Sequence, residues 1–280
     1  MVFRNDKQTN VPEKFIDIRE VLRKKNPTLA KMTPGFVVSI LKRLIHENEV
    51  NRIIHDYRDQ RGLAFVRAVL EDMKVTYSTE GIEKISTNGR YIFASNHPLG
   101  GLDGLALMDA IGSVFPEIHF IVNDILLNIK NFAPVFVPVN KHGRQSSEYA
   151  QKIDETYSSD AQVLYFPAGL CSRKINGEIV DLKWNKNFVQ KAVQYKRDVV
   201  PVYFDGRNSN FFYNIANLRK KIGIKANLEM IFLVNEFFKQ KGQHLKIKFG
   251  PPVLHTTFDK SEDYLHWAEK IREKVYSMRQ

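Results

Sequence analysis

The sequence predicts an α/β fold: a mostly parallel central sheet flanked by helices, with a helical N-terminal extension. Three observations carry this expectation. Apolar residues in the first quarter recur at helical spacing. From Lys74 the pattern changes to short apolar runs rich in β-branched and aromatic residues. Segments of helical character separate most of those runs, as in successive βαβ units.

Phe15, Ile16, Ile18, Val21 and Leu22 mark a first helix. A second is expected to start at Thr33-Pro34, with Thr33 as N-cap and Pro34 in the first turn. Its apolar side holds Phe36, Val37, Ile40, Leu41, Leu44 and Ile45, and Lys42, Arg43 and His46 lie opposite. A third helix runs from about Leu63 to Met73. Val75 and Tyr77, then Ile82 and Ile85, suggest two short strands around Glu80-Gly81. Further strands are expected at Tyr91–Ala94, His119–Val122, Val135–Val139, Val163–Phe166, Val199–Phe204, Leu228–Val234 and Leu245–Phe249. Gln145–Tyr157 and Asn187–Tyr195 read as helices between them. There is no internal repeat, low-complexity segment or linker. The expected organisation is residues 1–74 as a helical extension packed on the core, and residues 75–280 as one α/β domain.

The bulk properties narrow the classes. At 280 residues with 43% hydrophobic content, the chain can bury a large core. Its single cysteine, Cys171, rules out an internal disulfide framework and points to a reducing compartment. The first residues, MVFRNDKQTN, lack the apolar core of a signal peptide. No apolar run approaches the roughly 18 residues needed to span a bilayer. The net charge is +11, and it is concentrated: Lys183–Lys248 holds 14 Lys and Arg against 4 Asp and Glu. An anionic membrane surface, an acidic protein or a nucleic acid would each suit such a face. Phe211 and Phe212 beside Arg219, Lys220 and Lys221 combine aromatics with cations, as at a membrane interface.

Four strand ends carry candidate chemistry. The first is Asn96-His97-Pro98-Leu99-Gly100-Gly101-Leu102-Asp103, between the run 91–94 and a helix. Histidine suits a general base near neutral pH, and a carboxylate on one ring nitrogen would orient it. Backbone N–H groups at Gly100 and Gly101, at a helix N-terminus, would suit an oxyanion. The second is Phe166-Pro167-Ala168-Gly169-Leu170-Cys171-Ser172-Arg173-Lys174, a turn followed by an anion-binding set. The third is Val135–Arg144, a strand running into Lys141, His142 and Arg144. The fourth is Val200-Pro201-Val202, leading to Asp205-Gly206-Arg207. In an α/β sheet such ends converge on one crevice.

In order and content these motifs, over roughly residues 75–255, resemble the glycerophosphate and lysophospholipid acyltransferase family. The closer resemblance is to its hemolysin-like bacterial branch, which includes O-acyltransferases of ornithine and glycine lipid synthesis. Asn96, His97 and Asp103 match the first motif, although five residues separate His97 from Asp103 where the family has four. Phe166, Pro167, Gly169 and Ser172 match the third motif. Ala168 and Leu170 replace its Glu and Thr, Cys171 stands where its Arg would be, and Arg173 is expected to supply that charge. These departures fall in the phosphate-binding motif and point away from an ordinary glycerol phosphate acceptor.

The resemblance implies an O-acyltransferase that moves a fatty acyl chain from acyl-carrier protein or acyl-CoA to a lysolipid hydroxyl. A lyso-aminolipid of glycine or ornithine type is the expected acceptor, with lysophosphatidate as the alternative. His97 would be the base and Asp103 its orienting partner. Asn96, Arg144, Ser172, Arg173 and Lys174 would bind substrate, Arg144, Arg173 and Lys174 by gripping its anionic head. No metal and no cofactor beyond the thioester co-substrate is expected, and no nucleic acid. The expected location is peripheral, on the cytoplasmic face of the plasma membrane. A reading of another class is a non-catalytic binder of anionic lipid using the basic third.

Overall fold

A computed structural model describes residues 14–123, 129–139 and 147–279. It divides into two compact units, residues 1–58 and 59–280. The helix at 63–72 therefore belongs with the sheet rather than with the N-terminal extension.

The N-terminal unit holds four short helices: α1 (Ile18–Lys25), α2 (Pro27–Met32), α3 (Gly35–Leu44) and α4 (Glu47–Asp56). Asp17 caps α1 by accepting from the N–H of Arg19 at 2.8 Å. Buried Glu47 ties the unit together, accepting from the Ile18 N–H and from Lys42 Nζ, both at 3.0 Å. Asn51 completes the tie with paired bonds to the N–H and carbonyl of Ile16. Pro34 is the cap residue of α3 rather than a member of its first turn, because it is extended (ψ 148°). Helices α2 and α4 were not expected from sequence; both are short, and α4 is strongly polar.

The larger unit is built on a seven-stranded sheet. Its strands are β1 (Thr76–Glu80), β2 (Tyr91–Ser95), β3 (Ile118–Asn123), β4 (Phe136–Val139), β5 (Gln162–Tyr165), β8 (Asp198–Asp205) and β9 (His244–Phe249), with a separate hairpin of β6 (Arg173–Ile175) and β7 (Glu178–Val180). The spatial order is β1-β9-β8-β2-β5-β3-β4, and every pairing is parallel except β8 with β9. Central β2 is buried at all five positions, as a doubly covered parallel strand must be.

The remaining helices are α5 (Leu63–Asp72), α6 (Leu102–Gly112), α7 (Ser147–Ser158), α8 (Asn187–Tyr195), α9 (Asn210–Lys221), α10 (Leu233–Lys239) and α11 (Tyr264–Ser277). One face of the sheet presents Ile92, Val163 and Val199 to Tyr157, Phe188, Ala268 and Ile271 of α7, α8 and α11, and to Trp184 in the loop before α8. The other face presents Phe93 and Phe120, which pack on Phe115 and against Gly104 of α6. Burial of these side chains is the main term holding the layers together, at about 1.5–3 kcal/mol for each large apolar group.

Two strand expectations fail. Ile82–Lys84 forms a 3₁₀ turn, because Gly81 (φ 90°) turns the chain out of β1. Leu228–Val234 is not a strand either: Leu228–Phe232 is 3₁₀ and leads into α10. That run is apolar on several sides, so its length and composition did not distinguish strand from helix. Glu229 and Glu236, seven residues apart in the sequence, are both buried in this helical segment.

Arg197, also fully buried, has no carboxylate partner among the described residues. Its guanidinium donates to five backbone carbonyls, those of Tyr157 (2.7 Å), Ala161 (2.8 Å), Tyr91, Thr156 and Ser159. Burial, with nearby Arg90, pulls its pKa down to about 10, which leaves it charged at neutral pH. It ties the end of α7 and the turn before β5 to the start of β2. Arg197→Met should lower the unfolding free energy in urea by about 3–5 kcal/mol, because several buried carbonyls lose their donor at once. A change below about 1 kcal/mol would show that the carbonyls find other donors.

Candidate active site

Parallel β2, β5 and β8 end side by side, and the loops that follow them meet there. Asn96 makes the first connection. Its side-chain amide accepts from the Phe204 N–H at 2.7 Å and donates to the Phe204 carbonyl at 3.0 Å, so it extends the β2–β8 ladder by one side-chain rung. Asn96 is buried in this position, and its role at the strand end is structural.

His97 follows. Its Nδ1 lies 2.9 Å from Asp103 Oδ2, and the Asp103 side chain is fully buried while the imidazole keeps 16% of its surface exposed. Gly100 turns the chain between them, taking φ 79°. Asp103 sits in the first turn of α6 and collects more than the ring. Oδ2 accepts from the N–H of Leu99 (2.9 Å) and Gly100 (3.3 Å), and Oδ1 from those of Gly101 (3.0 Å) and Gly104 (2.9 Å). One carboxylate thus satisfies the turn and the opening N–H groups of the helix. Burial pushes the carboxyl up, but the charge and hydrogen bond of His97 and the Leu99 and Gly104 N–H groups pull it down further. Its pKa lies below the ordinary 3.8. With an ionised carboxylate on Nδ1, the neutral ring carries its proton there and leaves Nε2 as a lone-pair base. Nε2 makes no hydrogen bond among the described residues.

This arrangement corrects one expectation. The Gly100 and Gly101 N–H groups are spent on Asp103, so they are not the donors for an oxyanion. Their function here is to hold the carboxylate. The small size of Gly104 is also required, since a Cβ there would stand 2.9 Å from the Phe120 ring.

The loop after β5 backs the histidine. Phe166 stacks on the imidazole at 4.0 Å between centroids and 18° between planes. Phe120 in turn meets Phe166 edge-on at 5.1 Å. The Ser172 N–H donates to the His97 carbonyl at 2.7 Å, and the Ser172 hydroxyl to Asp181 Oδ1 at 2.6 Å. Asp181 also accepts from the His97 N–H (3.2 Å) and from Trp184 Nε1 (2.9 Å). It is fully buried, and burial raises its carboxyl above the usual range against the pull of those donors. Asp181, Trp184 and Phe166 were not singled out from sequence as site residues. Only Phe166 carried a signal, as the first residue of the third motif.

The expected anion-binding cations are largely committed. Arg173 is buried; it donates to Glu229 Oε1 at 2.8 Å and to the Cys171 carbonyl at 2.6 Å. Arg219 grips the same carboxylate through Glu229 Oε2 at 2.8 Å. Arg173 is therefore a structural tie rather than a free headgroup ligand, and the Ser172 hydroxyl is likewise spent on Asp181. Lys174, on the β6 hairpin, makes no ion pair among the described residues. Arg144, with Lys141 and His142, lies outside the described residues. Of the residues expected at a membrane, Phe211, Lys220 and Lys221 are exposed. Phe212 is not: it is fully buried beside Tyr213 and Cys171. Arg219 faces Glu229 for the reason just given.

The lowered pKa of Asp103 sets a pH dependence with a definite sign. The ionised form is favoured by folding, so its contribution is complete above the ordinary value of 3.8 and is lost as pH falls through the lower folded value. The stability difference between wild type and Asp103→Asn, about 2–4 kcal/mol near neutral pH, should stay level above about pH 5 and shrink below about pH 4. Denaturant titrations at several pH values would show it. A gap that persists unchanged to pH 2 would contradict the assignment.

Comparison with known proteins gives the family. The sequence model of the family described as Acyltransferase matches residues 20–280. The chain is 44% identical over 265 residues to a lyso-glycine lipid O-acyltransferase of Bacteroides thetaiotaomicron, covering 94% of this chain and 97% of that protein. A protein of the same description from Phocaeicola vulgatus is 40% identical over 265 residues, covering 94% and 95%. The crystal structure of the 1-acyl-sn-glycerophosphate acyltransferase PlsC of Thermotoga maritima aligns over 86% of this chain and 95% of that one. At a TM-score of 0.44 and 16% identity it is a distant likeness. With the family matched along the whole larger unit, the chain belongs to the acyltransferase family and is an enzyme that transfers acyl groups.

Proposed function

We propose that the protein O-acylates a lysolipid, and that the acceptor is a lyso-glycine lipid. The observation that carries the chemistry is the His97–Asp103 contact at 2.9 Å with Nε2 left unbonded. His97 Nε2 takes the proton of the acceptor hydroxyl as that oxygen attacks the carbonyl of an acyl thioester. The tetrahedral intermediate collapses, the C–S bond breaks, and the proton passes from Nε2 to the departing sulfur, which leaves as the thiol and restores the neutral ring. Asp103 stabilises the transient imidazolium and keeps the ring in one orientation. The donor is a thioester of acyl-carrier protein or of CoA.

The choice of acceptor has two supports. The relatives that match nearly end to end act on lyso-glycine lipid by name. Arg173, the cation nearest the altered third motif, is neutralised by Glu229 instead of being free for a phosphate dianion. Lysophosphatidate, which presents such a group, should therefore be the poorer acceptor.

Purified protein given a labelled acyl thioester should acylate lyso-glycine lipid at least about tenfold faster than lysophosphatidate, since one fully used charged contact is worth about that much. Preference for lysophosphatidate would overturn the acceptor assignment. His97→Ala should lower turnover by about 10³-fold or more while the thermal midpoint stays near that of wild type. A fully active variant would remove His97 from the mechanism.

A further inference from the structure

Helix α9, which follows β8, has two apolar faces. Phe212, Tyr213 and Ala216 point inward and are buried. Phe211, Ile215, Leu218 and Ile222 recur at helical spacing on the opposite side, and Phe211, Leu218 and Ile222 are 52%, 59% and 61% exposed. Ile224 and Ile231 continue the exposed apolar surface. Phe211 meets Phe232 edge-on at 5.2 Å, which joins the stripe to the 3₁₀ segment before α10. An outward apolar stripe of this kind is costly in water and marks a contact surface.

Within the segment that carries it, the exposed charges have one sign. Between Asn210 and Lys241 the acidic residues are Glu229 and Glu236, and both are buried. Glu229 is taken by Arg173 and Arg219; Glu236 by Ser209 and Lys239. Lys220, Lys221, Lys225, Lys239 and Lys241 are exposed. The burial of both carboxylates leaves an apolar stripe rimmed by lysines. The same segment touches the catalytic loop: Leu233 and Phe237 lie against Gly100 and Gly101, where an added Cβ would stand 2.7 Å and 3.7 Å from them.

We propose that the α9–α10 segment is the surface by which the enzyme sits on an anionic bilayer, with the α9 stripe in the interface and the lysines at the headgroups. Apolar insertion with a basic rim is the physical recipe for interfacial binding. A bilayer takes both parts of this surface at once, hydrocarbon for the stripe and anionic headgroups for the lysines. Contact of Leu233 and Phe237 with the loop of His97 and Asp103 would place the site at the edge of the lipid phase. The role rests on the lysolipid reading for its purpose only, because vesicle binding requires no turnover.

The test is co-sedimentation of the full chain with vesicles of phosphatidylcholine alone and of phosphatidylcholine with phosphatidylglycerol. Wild type should bind the anionic vesicles at least about tenfold more tightly, and salt should weaken it. The triple variant Phe211→Ser, Leu218→Ser, Ile222→Ser and the triple variant Lys220→Gln, Lys221→Gln, Lys225→Gln should each lose about tenfold or more. Circular dichroism checks that both fold. The proposal is overturned if wild type does not sediment with anionic vesicles, or if either folded variant binds as wild type does. It is equally overturned if the apolar variant turns a dimer into a monomer in sedimentation velocity while vesicle binding is kept, because a second copy then covers the stripe. A failed acyl-transfer assay alongside normal vesicle binding would count against the acceptor alone.

Discussion

The buried carboxylate of Asp103 is the constraint on which the site depends. It has no exposed surface, and it accepts from four backbone N–H groups and from the His97 ring. A buried charge without such partners would cost several kcal/mol. Here the same contacts that make burial tolerable also fix the turn after β2, start α6 and aim the imidazole. The geometry of the His97 ring is therefore a consequence of how a charge is accommodated at a helix N-terminus. It does not rest on a single side-chain contact, and the five-residue loop between His97 and Asp103 keeps the two in contact.

Two further buried carboxylates perform the same task at a distance. Asp181 joins the main chain of His97 to Ser172 and Trp184, so the loops after β2 and β5 are tied into one piece. Glu229 joins Arg173 to Arg219 and holds the segment before α10 against the hairpin. Both linkages consume groups that would otherwise be free to meet substrate. What they leave open is narrower: the Nε2 edge of His97 on one side, and a set of exposed lysines on the other. The basic character of this surface is thus partly an outcome of where the acids went. In the basic third, Glu229 and Glu236 are internal while most of the basic side chains remain outside.

Much of this was legible in the sequence, for physical reasons. The strands β2, β3, β4, β5 and β8 are apolar runs of strand length, and in a parallel sheet covered on both faces such runs have few alternatives; β9 was readable instead from its alternation of Leu245, Ile247 and Phe249 with Lys246 and Lys248. The contact of His97 with Asp103 was readable because a strand end, two glycines and a helix start fix where those side chains can go, whereas Asn96, expected at the substrate, bonds the Phe204 main chain instead. Leu228–Phe232 was misread because an apolar run of that length carries no period. The roles of Ser172, Arg173 and Phe212 were misassigned for a different reason. A serine, an arginine or a phenylalanine near a strand end can face outward or inward, and the choice is set by partners elsewhere in the chain, Asp181, Glu229 and Cys171. Asp181 itself follows a charged, turn-rich stretch, where a lone aspartate gives no sign of being buried.

If Asp103 holds His97 with its proton on Nδ1 and its lone pair on Nε2, ¹⁵N NMR of the labelled imidazole will show it most directly. The neutral ring should have a protonated, hydrogen-bonded Nδ1 and an unprotonated Nε2, with that preference lost in Asp103→Asn. A wild-type ring protonated on Nε2, or a tautomer unchanged by Asp103→Asn, would contradict the orienting role of Asp103.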